Sequence, residues 1–180
     1  MTVYQHVKLS EAYKLIDHGS IVLVSTVSAE WKYNIAPIAW HCPIEYNPVT
    51  KVLITCNKEH KTYQNILYSK GFTLCIPSTQ HLELVDLLGK TTGNEIDKMT
   101  LSFDHFPSIV HGNPVPTDCI AYIDLKITRV IEEETVGIMI GEVVAAQVLS
   151  NVWNGKGFIE DELKTLHHIG GTRIVTVSKI

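Results

Sequence analysis

The chain has 180 residues, of which 45% are hydrophobic and 19% are charged, and its formal net charge is -4. This composition is typical of a folded globular protein with one hydrophobic core, and it excludes an intrinsically disordered chain. The weak negative charge, without any lysine or arginine run, argues against binding to nucleic acid or anionic lipid, and no apolar run approaches the ~20 residues that cross a bilayer. We therefore expect a single domain over residues 1–180 that contacts neither nucleic acid nor membrane.

The N-terminal sequence and the cysteines favour a cytoplasmic location. Residues 1–14 are too polar for a secretion signal. The four cysteines lack the paired spacing of a disulfide framework or a zinc site, so we expect free thiols. The nine histidines also lack metal-ligand spacing, and we predict no metal site.

Short strands separated by short helices are predicted for the first half of the chain. Ser10 is placed to cap a helix that Gly19 would end, closing one end of a barrel. Alternating apolar residues and turn residues predict the other elements. These are strands at Ile21–Val27, Tyr33–Trp40, Lys51–Cys56 and Phe72–Ile76, and helices at Thr62–Lys70 and from Ser78 to Gly89.

The second half contains the clearest predicted strand pair. In the segment 121–128 apolar and polar residues alternate, which predicts one buried and one solvent-facing side. A turn at Glu132–Gly137 leads into Ile138–Leu149, which is apolar on both faces. Around this pair we predict a helical patch near Asp97–Leu101, a surface excursion at His105–Thr117, a loop at Asn154–Gly157, a helix at Glu160–Leu166 and a strand at Arg173–Val177. The overall prediction is a mainly β protein, a closed or partly closed barrel with short peripheral helices, because a barrel leaves few free strand edges.

Two polar stretches within these elements indicate a ligand site. Thr26 and Asn34 place small polar groups in strands that should pack a core, where a flat ligand could approach the backbone. The predicted strand Lys51–Cys56 is followed by a donor-rich loop that contains Asn57, and then by a helix that begins near Lys61 and Thr62. Because the first-turn N–H groups of a helix have no intrahelical partners, this helix start could bind an anion. From the residues alone, this interpretation and an ordinary strand edge with an ordinary helix cap are equally supported.

Other catalytic motifs are absent from the sequence. Gly89-Lys90-Thr91 resembles the end of a P-loop, but that motif needs a glycine at position 84, which is leucine, and a preceding strand in place of the predicted helix. No G-x-G-x-x-G follows a predicted strand, so there is no Rossmann dinucleotide site. No G-x-S-x-G elbow supports a serine nucleophile. We assign no catalytic residue from the sequence.

Four motifs occur in a characteristic order along the chain. They are NIAPIAW at Asn34–Trp40, TCNKEHKTYQN at Thr55–Asn65, SKGF at Ser69–Phe72 and IGEV at Ile140–Val143. In this order the sequence resembles the flavin reductase-like, FMN-binding split-barrel family, which includes flavoredoxins. The resemblance covers most of the chain, from about Leu23 to Gly171.

The resemblance implies an FMN-binding split β-barrel that forms a homodimer, with one FMN per subunit near the subunit interface. Lys61 and Thr62 would hold the phosphate, and polar and backbone groups of the first two motifs would meet the ribityl chain and the ring. His168 would join them if the C-terminal segment folds over the flavin. The expected cofactor-binding residues are Thr26, Asn34, Ala36, Pro37, Ala39, Trp40, Cys56, Asn57, Lys61, Thr62 and His168.

One departure from the family pattern concerns the electron donor. Many reductases of this family carry Gly-Asp-His in the hairpin before the fourth motif, with the histidine near the nicotinamide. This chain has Glu134-Thr135-Val136 there, which weakens the expectation that NAD(P)H binds transiently and reduces the flavin directly. The sequence leaves open an FMN-dependent oxidoreductase, a flavin carrier or electron-transfer module that NAD(P)H does not reduce directly, and a structural domain without flavin.

Overall fold

The computed structural model describes residues 5, 7–159, 162–170 and 173–177. The strands in this part of the chain are β1 (His18–Ser20), β2 (Val22–Val27), β3 (Tyr33–Ile38), β4 (His41–Glu45), β5 (Lys51–Asn57), β6 (Gly71–Ile76), β7 (His105–Pro107), β8 (Pro114–Pro116), β9 (Ala121–Glu132), β10 (Val136–Val148), β11 (Thr165–Ile169) and β12 (Ile174–Val177). The α-helices are α1 (Lys61–Ser69) and α2 (Leu82–Lys90), and 3-10 helices cover Leu9–Leu15, Thr79–His81 and Lys98–Thr100.

Seven antiparallel strands form the main sheet, in the order β3-β2-β6-β9-β10-β5-β4. β3 and β4 lie at opposite edges of this sheet, although only residues 39 and 40 separate them in the chain. The sheet therefore has to curl until its edges meet. At that seam the carbonyl of Trp40 accepts a hydrogen bond from the N–H of Thr55 at 2.9 Å. The prediction of a mainly β barrel with short peripheral helices is confirmed.

Both faces of β2 are buried, which explains its nearly continuous apolar sequence. Val24 faces the barrel interior with Ile54, Phe72, Leu125 and Met139, and α1 adds Tyr63 and Ile66 to this cluster. Leu23 faces the other way and packs with Ile35 and with Val85 and Leu88 of α2. The two helices therefore sit against the same strand region, and α1 and α2 converge near the end of β3.

The C-terminal segment folds back over the start of the chain. β1, β11 and β12 form a separate three-stranded sheet in which Gly19 pairs with His168. Gly19 therefore lies in a strand and does not end a helix, and the N-terminal helix is a 3-10 helix without buried residues. The predicted helix at Glu160–Leu166 is wrong where the chain is described, because Thr165 begins β11; residues 160 and 161 lie outside the described residues. The last predicted strand is confirmed as β12.

Two predictions about exposure are also wrong. Tyr122 and Asp124 of β9 were expected to face solvent but are buried, and Asp124 accepts hydrogen bonds from the Thr73 hydroxyl at 2.5 Å and from the Val110 N–H at 3.0 Å. The segment expected to be a surface excursion forms the β7–β8 hairpin and packs on this side, where Val115 is fully buried. A polar face of a strand can thus be buried when another segment supplies its hydrogen bonds.

Two element boundaries differ from the predictions. The expected strand Tyr33–Trp40 ends at Ile38 and is followed by a separate strand, β4, which starts at His41. The helix α2 runs through Gly89 to Lys90. Among the described residues, no helix combines the length and the apolar character needed to span a membrane.

Candidate functional site

Two adjoining cavities form a cleft beside the end of β3. One, which we call the helix cavity, has a volume of 370 Å³ and lies between the start of α1 and the end of α2. The other, which we call the seam cavity, also has a volume of 370 Å³ and lies where the edges of the main sheet meet. Both are lined by Pro37 and His60, which makes the cleft continuous. Each volume lies within the range of small-molecule sites, about 300–1,000 Å³.

The structure brings ten of the eleven predicted binding residues to this cleft. The helix cavity is lined by Asn34, Ala36, Pro37, Lys61 and Thr62. The seam cavity is lined by Pro37, Ala39, Trp40, Cys56, Asn57 and His168. These residues come from β3, from the seam, from the β5–α1 connection and from β11.

Thr26 is the predicted residue that does not line the cleft. Its side chain is buried, and its hydroxyl donates to the carbonyl of Asn34 at 3.3 Å and accepts from the amide of Asn65 at 3.1 Å. Thr26 therefore ties β3 and α1 together behind the cleft.

The start of α1 presents positive potential to the helix cavity. His60, the residue before the helix, has an extended backbone and makes no capping hydrogen bond through its side chain, and the first turn contains no acidic residue. The N–H groups and dipole at a helix start favour an anion. The half-buried Lys61 lies at the same place and adds a full charge.

Asn34 carries an unsatisfied polar atom in the wall of the helix cavity. The residue is only 4% exposed. Its amide Nδ2 donates to the hydroxyl of Thr62 at 3.0 Å, and its Oδ1 has no hydrogen-bond partner among the described residues. Gly93 packs directly against this oxygen, and a Cβ at position 93 would collide with it. A buried acceptor without a partner is costly.

Asp17 connects two predicted residues across the seam cavity. Its carboxylate accepts a hydrogen bond from the indole N–H of Trp40 at 2.7 Å and lies 3.3 Å from Nδ1 of His168. The backbone carbonyl of Asp17 is 3.1 Å from the same Nδ1. Because a carbonyl can only accept, Nδ1 of His168 carries the proton in this contact. The contacts fix the orientation of both rings in the cavity wall.

The rest of the seam cavity is close to neutral. Burial raises the pKa of the Cys56 thiol to about 11, so this group is uncharged at neutral pH and is not an activated nucleophile. Val136, at the start of β10, lines the same cavity as His168. Position 136 therefore contributes an apolar side chain to this cavity.

Sequence reasoning missed several residues that line the cleft. Lys90, the last residue of α2, and Thr91, Thr92 and Gly93, which follow it, line the helix cavity together with the start of α1. Their hydrogen-bond donors were a sequence signal for a ligand site, although they do not form a P-loop motif. Asp17 and Lys98 reach the cleft through tertiary contacts that no local pattern predicts.

The described residues contain no group of three or more His, Cys, Asp or Glu side chains arranged to hold a metal ion. Residues 18–167 match the family model described as "flavin reductase like domain". The chain belongs to the flavin reductase-like family. This family assignment agrees with the resemblance drawn from the four sequence motifs.

Known relatives of this flavin reductase-like protein share its full length. It is 28% identical to the "uncharacterized protein YddH" of Escherichia coli K12, over 99% of this chain and 97% of the relative. A solved FMN-binding domain of a flavin reductases-like enzyme from Shewanella baltica is 25% identical, with a TM-score of 0.77 over 97% of this chain and 94% of that one. The FMN-binding protein of Thermus thermophilus, solved with 1-cyclohex-2-enone, is 20% identical, with a TM-score of 0.85 over 99% and 97% of the two chains, which shows a shared fold.

Proposed function

We propose that this protein binds FMN in the cleft and acts as an oxidoreductase that passes electrons through it. The observation that carries the proposal is the shape and charge of the cleft. A cationic helix start lies at one end, and at the other lies a cavity of the same volume whose one carboxylate among the described residues, that of Asp17, contacts Trp40 and His168. FMN has the matching asymmetry, with a phosphate at one end and a flat ring at the other. Membership of the flavin reductase-like family supports the choice of a flavin.

The residues present fit each part of FMN. The uncapped start of α1 and the Lys61 ammonium would bind the phosphate. The Thr62 hydroxyl already accepts a hydrogen bond from Asn34, so its own proton is available to a phosphate oxygen. Asn34, which lines the helix cavity, would lie beside the ribityl chain. Backbone groups of residues 36–40 and the Asn57 side chain would meet the ring edges in the seam cavity.

FMN supplies the redox chemistry when bound, because its ring accepts and returns electron pairs. The residues of the chain would then position the flavin and shield its ring. The neutral Cys56 thiol places no negative charge beside the ring site, and the apolar Pro37 lines both cavities. His168, oriented by Asp17, places an imidazole in the wall of the seam cavity, where it can hold or give a proton at the ring side.

A specific observation favours a second candidate function, a flavin carrier or electron-transfer module that NAD(P)H does not reduce directly. Hydride transfer needs a well-oriented nicotinamide, because geometry sets its rate. Val136 lines the seam cavity and can neither donate nor accept a hydrogen bond. The two candidates differ in whether NADH or NADPH alone reduces the bound flavin rapidly.

The proposal includes a single domain, a homodimer and a cytoplasmic setting. Dimerisation is supported by apolar side chains that stay exposed on the second half of β10, directly after it and in the β7–β8 connection, because a symmetric partner would bury them. These are Val144, Leu149, Ile109 and Val110. A reducing compartment is supported by the four cysteines, all of which are free thiols.

The test is a flavin titration of the purified protein, followed by flavin fluorescence and the visible absorption spectrum. We expect FMN to bind at least about tenfold more tightly than riboflavin, because one charge-assisted hydrogen bond to phosphate is worth about 1.5–3 kcal/mol. FAD serves as the comparison for a larger phosphate-bearing flavin. Absence of flavin binding would refute the proposed function, and equal affinity for riboflavin and FMN would remove the phosphate site from it.

A further inference from the structure

A third cavity adjoins the seam cavity. It lies between residues 13–20 and residues 39–41, and we call it the N-terminal cavity. Its volume is 460 Å³, which is larger than that of either cavity of the cleft and falls within the range of small-molecule sites, about 300–1,000 Å³. Asp17, Ala39 and Trp40 line both the N-terminal cavity and the seam cavity. The proposed function assigns no ligand to this space.

Part of the wall of the N-terminal cavity is aromatic and apolar. The rings of Tyr13 and Trp40 meet edge to face, with centroids 5.8 Å apart and an interplanar angle of 73°. Tyr13 is 43% exposed and Trp40 is 46% exposed, and Ile16, which lines the same cavity, is 81% exposed. These side chains therefore have free area that a flat ring can cover, and aromatic rings prefer such edge-to-face and offset contacts.

The Trp40 ring is held in place before any ligand binds. Its indole N–H donates to the carboxylate of Asp17 at 2.7 Å, and this carboxylate also lies 3.3 Å from Nδ1 of His168. The side chain of Asp17 is only 7% exposed. A wall that is already ordered lowers the entropic cost of binding. Because the indole N–H is used in this contact, a polar group of a ligand needs a different donor.

Ser20 and His41 supply such a donor. Nε2 of His41 lies 3.0 Å from the carbonyl of Ser20 and 3.3 Å from its hydroxyl. Because a carbonyl can only accept, Nε2 carries the proton in this contact. The Ser20 hydroxyl accordingly accepts from this N–H, which leaves its own proton available to a ligand in the cavity. A carbonyl oxygen on the ligand would accept it.

The charges around the N-terminal cavity favour an uncharged ligand. Among the described residues that line it, Asp17 is the one carboxylate and none is a lysine or arginine. An anion would lie beside this carboxylate, and like charges repel more strongly there than in water. A cation would have to displace Trp40 and His168, which the carboxylate already contacts. The nearby Lys14 is paired with Glu11 at 3.5 Å.

We propose that the N-terminal cavity is a second ligand site, which binds a small uncharged aromatic compound that carries a carbonyl group. The ring of this ligand packs against Tyr13 and Trp40, and its carbonyl oxygen accepts a hydrogen bond from Ser20. Binding makes and breaks no covalent bond and does not need the flavin. Because the two cavities share part of their wall, the ligand lies beside the site proposed for the flavin ring.

Fluorine NMR titrations of the purified protein test the proposal with three probes of nearly the same size. At about pH 8, where ordinary imidazoles are uncharged, para-fluorobenzamide is neutral, para-fluorobenzoate is an anion and para-fluorobenzylamine is a cation. We expect a dissociation constant of about 1 mM for the benzamide, as is usual for a ligand this small, and at least about tenfold weaker binding of both ions. Equal or tighter binding of either ion would overturn the proposed chemical class.

Two variants locate the bound probe. Tyr13→Ala removes one aromatic wall from a 3-10 helix without buried residues, so the fold should persist, and we expect about tenfold weaker binding of the benzamide. Ser20→Ala removes the donor and should weaken it about threefold to tenfold. Tyr68→Ala is the matched control, because it removes an exposed tyrosine of α1 that does not line this cavity, and it should bind like the parent. Should Tyr13→Ala fail to fold, the three probes and Ser20→Ala still decide.

The outcomes separate this inference from the proposed function. No benzamide binding at about 10 mM, or binding that neither Tyr13→Ala nor Ser20→Ala weakens, would overturn the site. Displacement of the benzamide by FMN would place the probe in the seam cavity and overturn the site as well. Benzamide binding with the expected effects of the variants supports the site even if FMN does not bind, in which case the proposed function alone fails.

Discussion

Replacement of Lys61 by alanine separates binding of the phosphate from binding of the ring. Lys61 is half-buried at the uncapped start of α1, and no hydrogen bond or ion pair of its side chain is found within the described part of the chain. Its removal therefore leaves no buried partner unsatisfied. We expect the free energy of unfolding to change by less than about 0.5 kcal/mol, as for most surface substitutions.

The loss of FMN affinity follows from one charge-assisted hydrogen bond. Such a bond contributes about 1.5–3 kcal/mol, and each 1.4 kcal/mol is tenfold in Kd, so Lys61→Ala should weaken FMN binding about tenfold to a hundredfold. Solvent partly screens a half-exposed charge, which favours the lower end of this range at physiological salt. Riboflavin lacks the phosphate, and its affinity should stay the same.

The assay is quenching of flavin fluorescence on titration with parent and variant, run with FMN and riboflavin in parallel. Lys58→Ala is the matched control, because Lys58 pairs with Glu132 at 3.2 Å and does not line the helix cavity. It should bind both flavins as the parent does. Equal weakening of FMN and riboflavin by Lys61→Ala would refute the reasoning, as would unchanged FMN affinity.

Three further predictions concern stability and the electron donor. Because burial lowers the pKa of Lys98 to about 8 in the folded protein, the unfolded chain binds more protons than the folded chain between pH 8 and 10.5, and the free energy of unfolding should rise with pH in this range. In urea unfolding without flavin, Lys98→Met should reduce the slope of that rise by up to about 1.4 kcal/mol per pH unit. An unchanged slope would contradict the lowered pKa of Lys98. In anaerobic stopped-flow absorbance, NADH or NADPH should reduce the flavin-loaded protein slowly, whereas dithionite should reduce it promptly, and Val136→His should accelerate the reaction with NADH or NADPH. A rapid, saturable reaction of the parent that is abolished by His168→Ala would instead show that His168 orients the nicotinamide. Gly137→Ala should lower the free energy of unfolding by about 1–3 kcal/mol in urea unfolding, because the added Cβ collides with the buried ring of Tyr63 in α1. Gly157→Ala has open space around the added Cβ and should not change the free energy of unfolding. If the two variants were equally stable, the ring of Tyr63 would be able to move aside.

Local sequence patterns were sufficient for the strands of the barrel and for the start of α1. Alternation or continuous burial of apolar residues gave β2, β5, β6 and β10 within one or two residues, and it gave the start of β9, which runs four residues beyond the predicted segment. Lys61 and Thr62 were predicted to bind an anion because the first turn of any helix has N–H groups without intrahelical partners, whatever the tertiary fold. The segment Asn34–Trp40 was predicted to be part of a ligand site because small and cyclic residues are unusual in a core strand.

The remaining parts of the cleft depend on contacts between distant segments. The predicted helix ended at Leu166, but residues 165–169 form a strand that pairs with residues 18–20, and this pairing brings His168 to the seam cavity. Asp124 looked solvent-facing until the β7–β8 hairpin supplied an N–H donor. Lys98 lies in an irregular segment whose sequence does not predict burial. In each case a tertiary partner overrode the local preference.

The two ends of the cleft should control different measurable quantities, because they share no charged contact. If FMN binds as proposed, the helix cavity would act on its phosphate through Lys61 and would set how tightly FMN is held. The seam cavity would act on the ring through residues such as Val136 and would set how fast the flavin is reduced. Free-energy effects of substitutions without shared partners usually add within about 0.5 kcal/mol.

A double variant of Lys61→Ala and Val136→His therefore tests whether the cleft works as two independent ends. We expect its FMN affinity to equal that of Lys61→Ala, and its rate of reduction by NADH, measured at saturating FMN, to equal that of Val136→His. Stopped-flow traces of the double variant and of each single variant provide the comparison. If the phosphate-side substitution changed the reduction rate, the position of the ring would depend on how the phosphate is held. In that case the cleft binds FMN as one coupled unit, and the phosphate anchor sets the geometry of electron transfer as well as the affinity.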